Sequence, residues 1–174
     1  MKRILSILLL FVTLTAVNTT SAQLLPPNQP EQDACDALVL CGNTFTTPFS
    51  YQGEGQVFDL TTTPCSSPEA NSMWLRLNVN TAGIIVFDIT PFTPTDDYDF
   101  AVVNITNSSC NPISQSNVIR CNFNNNSPVF NNGALGLNTT STTQFVPGGR
   151  FGQSYLQQIT ANPADIYLIM VNNF

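Results

Sequence analysis

Three aspartates stand directly ahead of one apolar segment of the sequence. Asp96, Asp97 and Asp99 lie within "TPTDDYDFAVVN" and are three of the eleven acidic residues in this 174-residue chain. Because Ca²⁺ binds the carboxylate and carbonyl oxygens that such a turn supplies, we consider these aspartates a candidate calcium site. The alternative is a polar turn whose carboxylates accept backbone N–H groups ahead of a strand. Calcium is the one cofactor that the sequence suggests.

Paired carboxylates are also the machinery of glycosidases, in which an acid and a base or nucleophile flank the sugar. Asp97 with Asp99, or Glu54 with Glu69, would provide such a pair, but their spacing selects neither. The chain contains no histidine, which excludes Ser-His-Asp and Cys-His hydrolase schemes. We therefore predict that the protein is not an enzyme, and a secreted hydrolase is the least favoured alternative.

Two aromatic residues, Trp74 and Tyr98, are candidate ligand contacts, because an aromatic ring offers a large apolar face to a sugar. This interpretation makes a carbohydrate-binding module the main alternative function. Trp74 also lies in the most regular alternating segment, "NSMWLRLNVN", where an aromatic side chain more often belongs to the core. Both interpretations of Trp74 stay open at this point.

Five cysteines, Cys35, Cys41, Cys65, Cys110 and Cys121, leave one thiol over after two disulfides. The short spacing of Cys110 and Cys121 predicts that they form one bond. A second bond is expected among the other three cysteines, and we favour Cys41 with Cys65. A zinc site is disfavoured, because the chain has neither histidine nor a CxxC motif.

Residues 1–22 have the composition of a secretory signal peptide. Lys2 and Arg3 precede an apolar run, and small residues follow it up to Ala22. The apolar run is shorter than the about 20 residues that cross a bilayer. We therefore predict an exported protein, secreted or at the cell surface, with no membrane span in the mature chain. Residues 23–32 are rich in proline and are predicted to form an extended linker.

The mature chain is acidic. Beyond residue 22 its basic side chains are those of Arg76, Arg120 and Arg150 against eleven acidic ones, a net charge of 3 − 11 = −8. Binding to nucleic acid requires a basic surface that contacts phosphates, so this class of partner is excluded. The expected partner is an extracellular glycan or protein.

The elements that position these residues are predicted to be strands. Alternation at Met73, Leu75 and Leu77, followed by a turn at residues 81–83, predicts a hairpin over residues 71–90. Further strands are expected at residues 43–51, 55–63, 100–106, 118–123 and 164–173. These signals indicate an all-β domain over residues 33–174, a single sandwich of seven to eight antiparallel strands.

The combination of "DACDALVLCG", "NSMWLRLNVNTAGIIVFDITP" and "DDYDFAVVNIT", closed by "YLIMVNNF", resembles β-sandwich modules of Bacteroidetes surface proteins associated with gliding motility and type IX secretion. Those modules are similar to the bacterial pre-peptidase C-terminal domain, and the resemblance implies that the sandwich is jelly-roll-like. The resemblance implies a non-catalytic accessory or adhesive module, and calcium binds some relatives of that domain. It also implies that one closing strand follows residue 174.

Together these observations predict a non-catalytic extracellular binding or structural module. Its mechanism would be the presentation of loops by a rigid scaffold, for adhesion or ligand contact. The loops singled out are Cys110 to Cys121 and the long polar connection from Asn124 to Gly152.

Overall fold

The computed structural model describes residues 23–65, 68–124, 133–149 and 152–173, and the predicted signal peptide lies outside them. The chain is all-β, with short 3-10 helices at Pro30–Gln32, Ala34–Asp36 and Gln115–Asn117. The strands are β1 (Gln23–Leu24), β2 (Leu38–Val39), β3 (Phe49–Ser50), β4 (Ser72–Asn78), β5 (Gly83–Ile85), β6 (Phe87–Ile89), β7 (Tyr98–Asn104), β8 (Val118–Asn124), β9 (Leu135–Asn138), β10 (Phe145–Gly149), β11 (Tyr155–Gln157), β12 (Ile159–Ala161) and β13 (Ile166–Asn173).

A six-stranded sheet in the order β10-β8-β7-β13-β4-β2 forms the centre of the molecule. Its inner strands β8, β7, β13 and β4 pair in antiparallel fashion, whereas the outer strands β10 and β2 pair in parallel. Both faces of β7 and β13 are buried. This explains the continuous apolar runs of β7 and β13, since a strand covered on both sides has no polar face to alternate with.

A second β layer covers one face of the central sheet. It consists of the sheet β11-β9-β6 and the pair β12-β5, and its side chains Leu137, Leu156 and Ile159 pack against Phe100 and Val102 of β7. This layer is narrower than the sheet beneath it. The strand pair β1-β3 also joins this side, because Tyr51, which directly follows β3, belongs to the same apolar cluster.

Arg120 joins the two layers. Its side chain is buried, and its Nε and one terminal nitrogen donate to the carbonyl oxygens of Gln157 and Gln158, each at 2.8 Å. Burial lowers the pKa of this guanidinium. Because Gln157 ends β11 and Gln158 precedes β12, these bonds hold the junction of the two strands against the central sheet.

The opposite face of the central sheet is covered by chain without strands. Ala34, Leu60 and Ile113 from this cover pack on Trp74 and Met170 of the sheet. Two disulfides fasten it: Cys35–Cys110, with 5.2 Å between Cα atoms, and Cys65–Cys121, with 6.1 Å. The second bond attaches the cover directly to strand β8.

Buried carboxylates replace strand pairing within this cover. Those of Asp33, Asp59 and Glu69 accept backbone N–H groups from distant residues of the chain. The donors are Gln56 and Val57 to Asp33 (2.8 and 2.9 Å), Ala34 to Asp59 (2.6 Å), and Asp59 and Leu60 to Glu69 (3.0 and 3.4 Å). The segment at residues 55–63, which was predicted to be a strand, does not form one. Side-chain carboxylates instead accept the backbone N–H groups of its residues 56, 57, 59 and 60.

The predicted disulfide pairing is wrong. Cys65 crosses to strand β8, where Cys121 points into the core, while Cys110 bonds to Cys35. Cys41 follows edge strand β2, four strand spacings from β8 in the sheet order, or about 19 Å. It is the free and exposed thiol, so the prediction that one thiol is left over is confirmed.

Several predicted elements are confirmed, and others are wrong. The strands at residues 100–106, 118–123 and 164–173 correspond to β7, β8 and β13. The 71–90 hairpin does not form, because β4 pairs with β13 and β2 while β5 and β6 belong to the other layer. The all-β class holds, but the strands form four sheets with parallel outer pairs.

Two segments predicted to be a linker and a loop contain strands. The expected linker at residues 23–32 contains β1, and its Gln32 is fully buried, donating to the carbonyl oxygens of Gln52 and Gly53. The connection expected between Asn124 and Gly152 contains β9 and β10 within its described residues. It therefore contributes a strand to each layer.

Candidate functional site

A cleft of about 930 Å³ opens where the second β layer leaves part of the central sheet uncovered. One wall is residues 86–92, which include strand β6. The other wall is residues 42–51, which include β3, and strands β4 and β13 form the floor. This volume lies within the range of small-molecule and cofactor pockets, about 300 to 1,000 Å³.

The floor of the cleft is apolar. Met73 of β4 lies opposite Val171 of β13, and Leu75 lies opposite Ile169. Each of the two neighbouring strands thus contributes two side chains to the floor, and all four are aliphatic or thioether side chains. Tyr98, at the start of β7, also lines the cleft.

Exposed aromatic residues stand at the rim. Phe92 is 69% exposed, Phe45 44% and Phe49 38%, and the neighbouring Val86 is 48% exposed. Single exposed apolar residues are ordinary in folded proteins, but an apolar patch gathered around a concave site marks a place of contact. The cleft is therefore the strongest candidate binding site in the described part of the chain.

The cleft carries no basic side chain. Its lining contains one carboxylate, Asp88, and several threonines and asparagines, among them Thr46, Thr90 and Asn138. The Asp88 carboxylate is hydrogen-bonded to the hydroxyl of Tyr155, whose pKa is raised by burial and by this carboxylate. An anionic ligand would thus meet no compensating charge in the cleft.

The two aromatic residues predicted to contact a ligand have different positions. Trp74 is 0% exposed, and its indole N–H donates to Glu69 Oε1 at 2.7 Å. The core interpretation of Trp74 is confirmed, and the prediction that it contacts a ligand is wrong. Tyr98 is half-buried in the cleft lining, where its role as a ligand contact stays a prediction.

The Glu69 carboxylate belongs to the structural network around Trp74. It accepts the hydroxyl of Ser72 at 2.5 Å as well as the indole N–H. Burial raises the pKa of Glu69 to about 7, although the hydrogen bonds from Ser72 and Trp74 act in the opposite direction. Glu54, the other member of the proposed carboxylate pair, is exposed. The structure therefore does not bring this pair to an open surface together.

The three aspartates of the calcium hypothesis are separated by burial. Asp99 is 6% exposed on β7, and its Oδ1 has no hydrogen-bond partner, whereas Asp96 and Asp97 are half-exposed in the preceding turn. Burial, with the negative charge of Asp97, raises the pKa of Asp99 to about 8. In the described ranges, no three acidic, histidine or cysteine side chains gather as a metal site would require. Calcium binding stays a prediction.

A shallower, polar depression of about 460 Å³ lies near the end of β9. It is lined by Thr140, Ser141, Gln153 and Tyr155, among other residues. Hydroxyl and amide groups beside one aromatic ring suit a polar ligand. The sequence did not single out this position, because its walls come from residues 138–142, in the middle of the connection that was predicted to be a loop, and from residues 152–155 at and beyond its end.

The chain matches no protein-family model, and comparisons with curated proteins and with solved structures also find no match. Among the residues that the structure describes, no helix has the length and apolar character that crossing a membrane requires. The two disulfides indicate an oxidising, extracellular environment, where such bonds persist.

Proposed function

We propose that the protein is a non-catalytic extracellular binding module and that the cleft between residues 42–51 and 86–92 holds its ligand. The observation that supports this proposal is the apolar floor of Met73, Leu75 and Ile169, left open between two walls with exposed aromatic residues. In this proposal a concave site on the sheet, rather than the loops expected from the sequence, makes the contact.

Physical chemistry favours an occupant for this site. Water in an apolar cleft makes few hydrogen bonds with its walls, so replacing it by apolar ligand surface stabilises the complex by about 25 cal/mol per Å² of buried area. The rigid floor also lowers the cost of binding, since β4 and β13 are held by their full antiparallel ladder. The predicted export and the resemblance to surface modules suit such a role.

Titration with Nile red, a neutral apolar dye, tests the proposal. We expect its fluorescence to rise on binding to the wild type and the rise to be lost in the double variant Phe45→Ser/Phe92→Ser. Phe58→Ser is the matched control, because Phe58 is 48% exposed but does not line the cleft. Absence of dye binding to the wild type, or equal loss in the control, would contradict the proposal.

A carbohydrate-binding module is the second candidate, and the polar depression around Tyr155 is the observation that favours it. Sugars are bound by aromatic stacking together with hydroxyl and amide groups. A glycan array probed with the wild type and with Tyr155→Ala tests this candidate. Glycan binding that is lost in Tyr155→Ala but kept in Phe45→Ser/Phe92→Ser would favour it over the cleft.

A further inference from the structure

We infer that the occupant of the cleft is an extended peptide segment of a partner protein, which lies along β6 as an added strand. This inference rests on the proposed function of the cleft and specifies the chemistry of its ligand. The evidence comes from the backbone of the walls, the spacing of the floor and the charge of the lining.

Strand β6 offers an unpaired edge. It is the outermost strand of the sheet β11-β9-β6, and its only ladder is with β9. Among the described residues, no other backbone hydrogen bond reaches residues 86–92. The backbone groups on the second side of β6 are therefore available to a further strand, the arrangement by which exposed sheet edges capture peptides.

The opposite wall has the same property. Residues 42–47 make no backbone–backbone hydrogen bond within the described part of the chain, and β3 pairs only with β1. A peptide in the cleft would thus meet unpaired backbone groups on both sides. An apolar molecule or an acyl chain cannot form hydrogen bonds with these backbone groups, whereas a peptide strand can.

The spacing of the apolar pairs in the floor matches the two-residue repeat of side chains along a strand. A strand over a sheet directs every second side chain downward, and the floor presents the two cross-strand pairs Met73/Val171 and Leu75/Ile169. Strand β6 itself comprises three residues, and with its flanks this wall covers residues 86–92, which would reach at most about 23 Å at a rise of about 3.3 Å per residue. The segment should therefore span up to six or seven residues with apolar side chains at alternate positions.

Charge selects among such peptides. Asp88 is the one acidic residue of the lining, which has no lysine or arginine, and the whole chain is acidic, with a formal net charge of −6. An acidic peptide would be repelled, and a neutral or basic one is favoured.

The test is a selection from phage-displayed peptides of ten random residues against the disulfide-bonded wild-type protein. We expect enriched peptides to alternate apolar with neutral or basic residues and to bind Phe58→Ser but not Phe45→Ser/Phe92→Ser. A selected peptide is then synthesised with ester links in place of amides at odd or at even positions. Since each ester removes backbone N–H donors from one edge, at least one of the two esters should bind about tenfold more weakly.

The outcomes separate this inference from the proposed function. In one outcome, Nile red binds the cleft while no peptide is enriched, or while both esters bind as tightly as the amide. Either result would overturn the inference that the ligand binds as an added strand, and the cleft would remain a site for another apolar ligand. If enriched peptides bind Phe45→Ser/Phe92→Ser unchanged, they bind elsewhere and the inference also fails. If neither dye nor peptide binds, the proposed function fails with it.

Discussion

The buried carboxyl group of Glu69 joins the side chain of Trp74 to the backbone of the strandless cover. Its two oxygens accept the Trp74 indole, the Ser72 hydroxyl and the N–H groups of Asp59 and Leu60. A single residue thus satisfies four donors that would otherwise be buried without partners, each at a cost of about 1 to 3 kcal/mol. This explains why Trp74 is unavailable as a ligand contact.

The titration of two buried carboxyl groups predicts how stability depends on pH. The pKa of Glu69 is raised to about 7 and that of Asp99 to about 8 in the folded protein, from ordinary values of 4.5 and 3.8. At a pH between the ordinary and the raised pKa of each group, the folded state binds more protons than the unfolded state. The free energy of unfolding therefore falls as pH rises through this range. We expect it to be at least about 2 kcal/mol lower at pH 8.5 than at pH 5.

Urea denaturation at several pH values measures this dependence. Asp99→Asn should flatten the profile, because the amide keeps the shape of the neutral carboxyl group and does not ionise. Glu54→Gln is the control, since Glu54 is exposed. A free energy of unfolding that is constant or increases from pH 5 to pH 8.5 would show that these carboxyl groups are ionised in the folded state.

Substitution of an aspartate in the Asp96–Asp99 segment also tests the calcium hypothesis. An ion bound by Asp97 and Asp99 would stabilise the folded state and raise the melting temperature in calcium chloride above that in a chelator. Asp97→Asn should abolish this increase, and Glu54→Gln should preserve it. Equal melting temperatures with calcium and with chelator would end the hypothesis.

At the scale of elements, the sequence predicts long strands well and the cover poorly. The apolar runs of β7 and β13 identify these strands, because strands buried on both faces have few polar residues. Residues 55–63 have the composition of a strand, but side-chain carboxylates from distant parts of the chain accept their backbone N–H groups. Such acceptors cannot be assigned before the topology is known.

The disulfides show the same limit of local reasoning. Cys110 and Cys121 are close in sequence, but the order of the strands decides which cysteines meet. The bonds found join residues 75 and 56 positions apart. Each fastens the strandless cover, which lacks the continuous backbone ladder that holds the other layer.

Loss of one of these bonds should be costly. We expect Cys65→Ala/Cys121→Ala to lower the free energy of unfolding by about 4 kcal/mol, because the bond closes a long loop in the unfolded chain and both side chains are buried. Cys41→Ser should change it by less than about 0.5 kcal/mol, since Cys41 is exposed. Urea denaturation provides the comparison.

Peptide mapping without reduction provides an independent check of the pairing. It should find Cys35 linked to Cys110 and Cys65 linked to Cys121, and a thiol reagent should modify one cysteine of the native protein, Cys41. A peptide pair linking Cys110 to Cys121 would contradict the structure and restore the pairing that sequence spacing suggests.

At the scale of the molecule, the cleft results from unequal layers. The central sheet is six strands wide, and the narrower opposing layer leaves a cleft over β4 and part of β13. The sequence does not reveal this, because the walls come from residues 42–51 and 86–92 and the floor from two further segments. The extracellular binding role was predicted from composition and resemblance, and the cleft gives this proposal a specific place.

Hydrogen exchange of the whole chain, with and without the tightest-binding selected peptide, tests the central claim most directly. We predict slower exchange at the amides of residues 86–92 and 42–47, with the Cys110 to Cys121 connection unchanged. Slower exchange in that connection or around residues 140–142, with residues 86–92 unaffected, would contradict the claim and place the binding site on the loops instead.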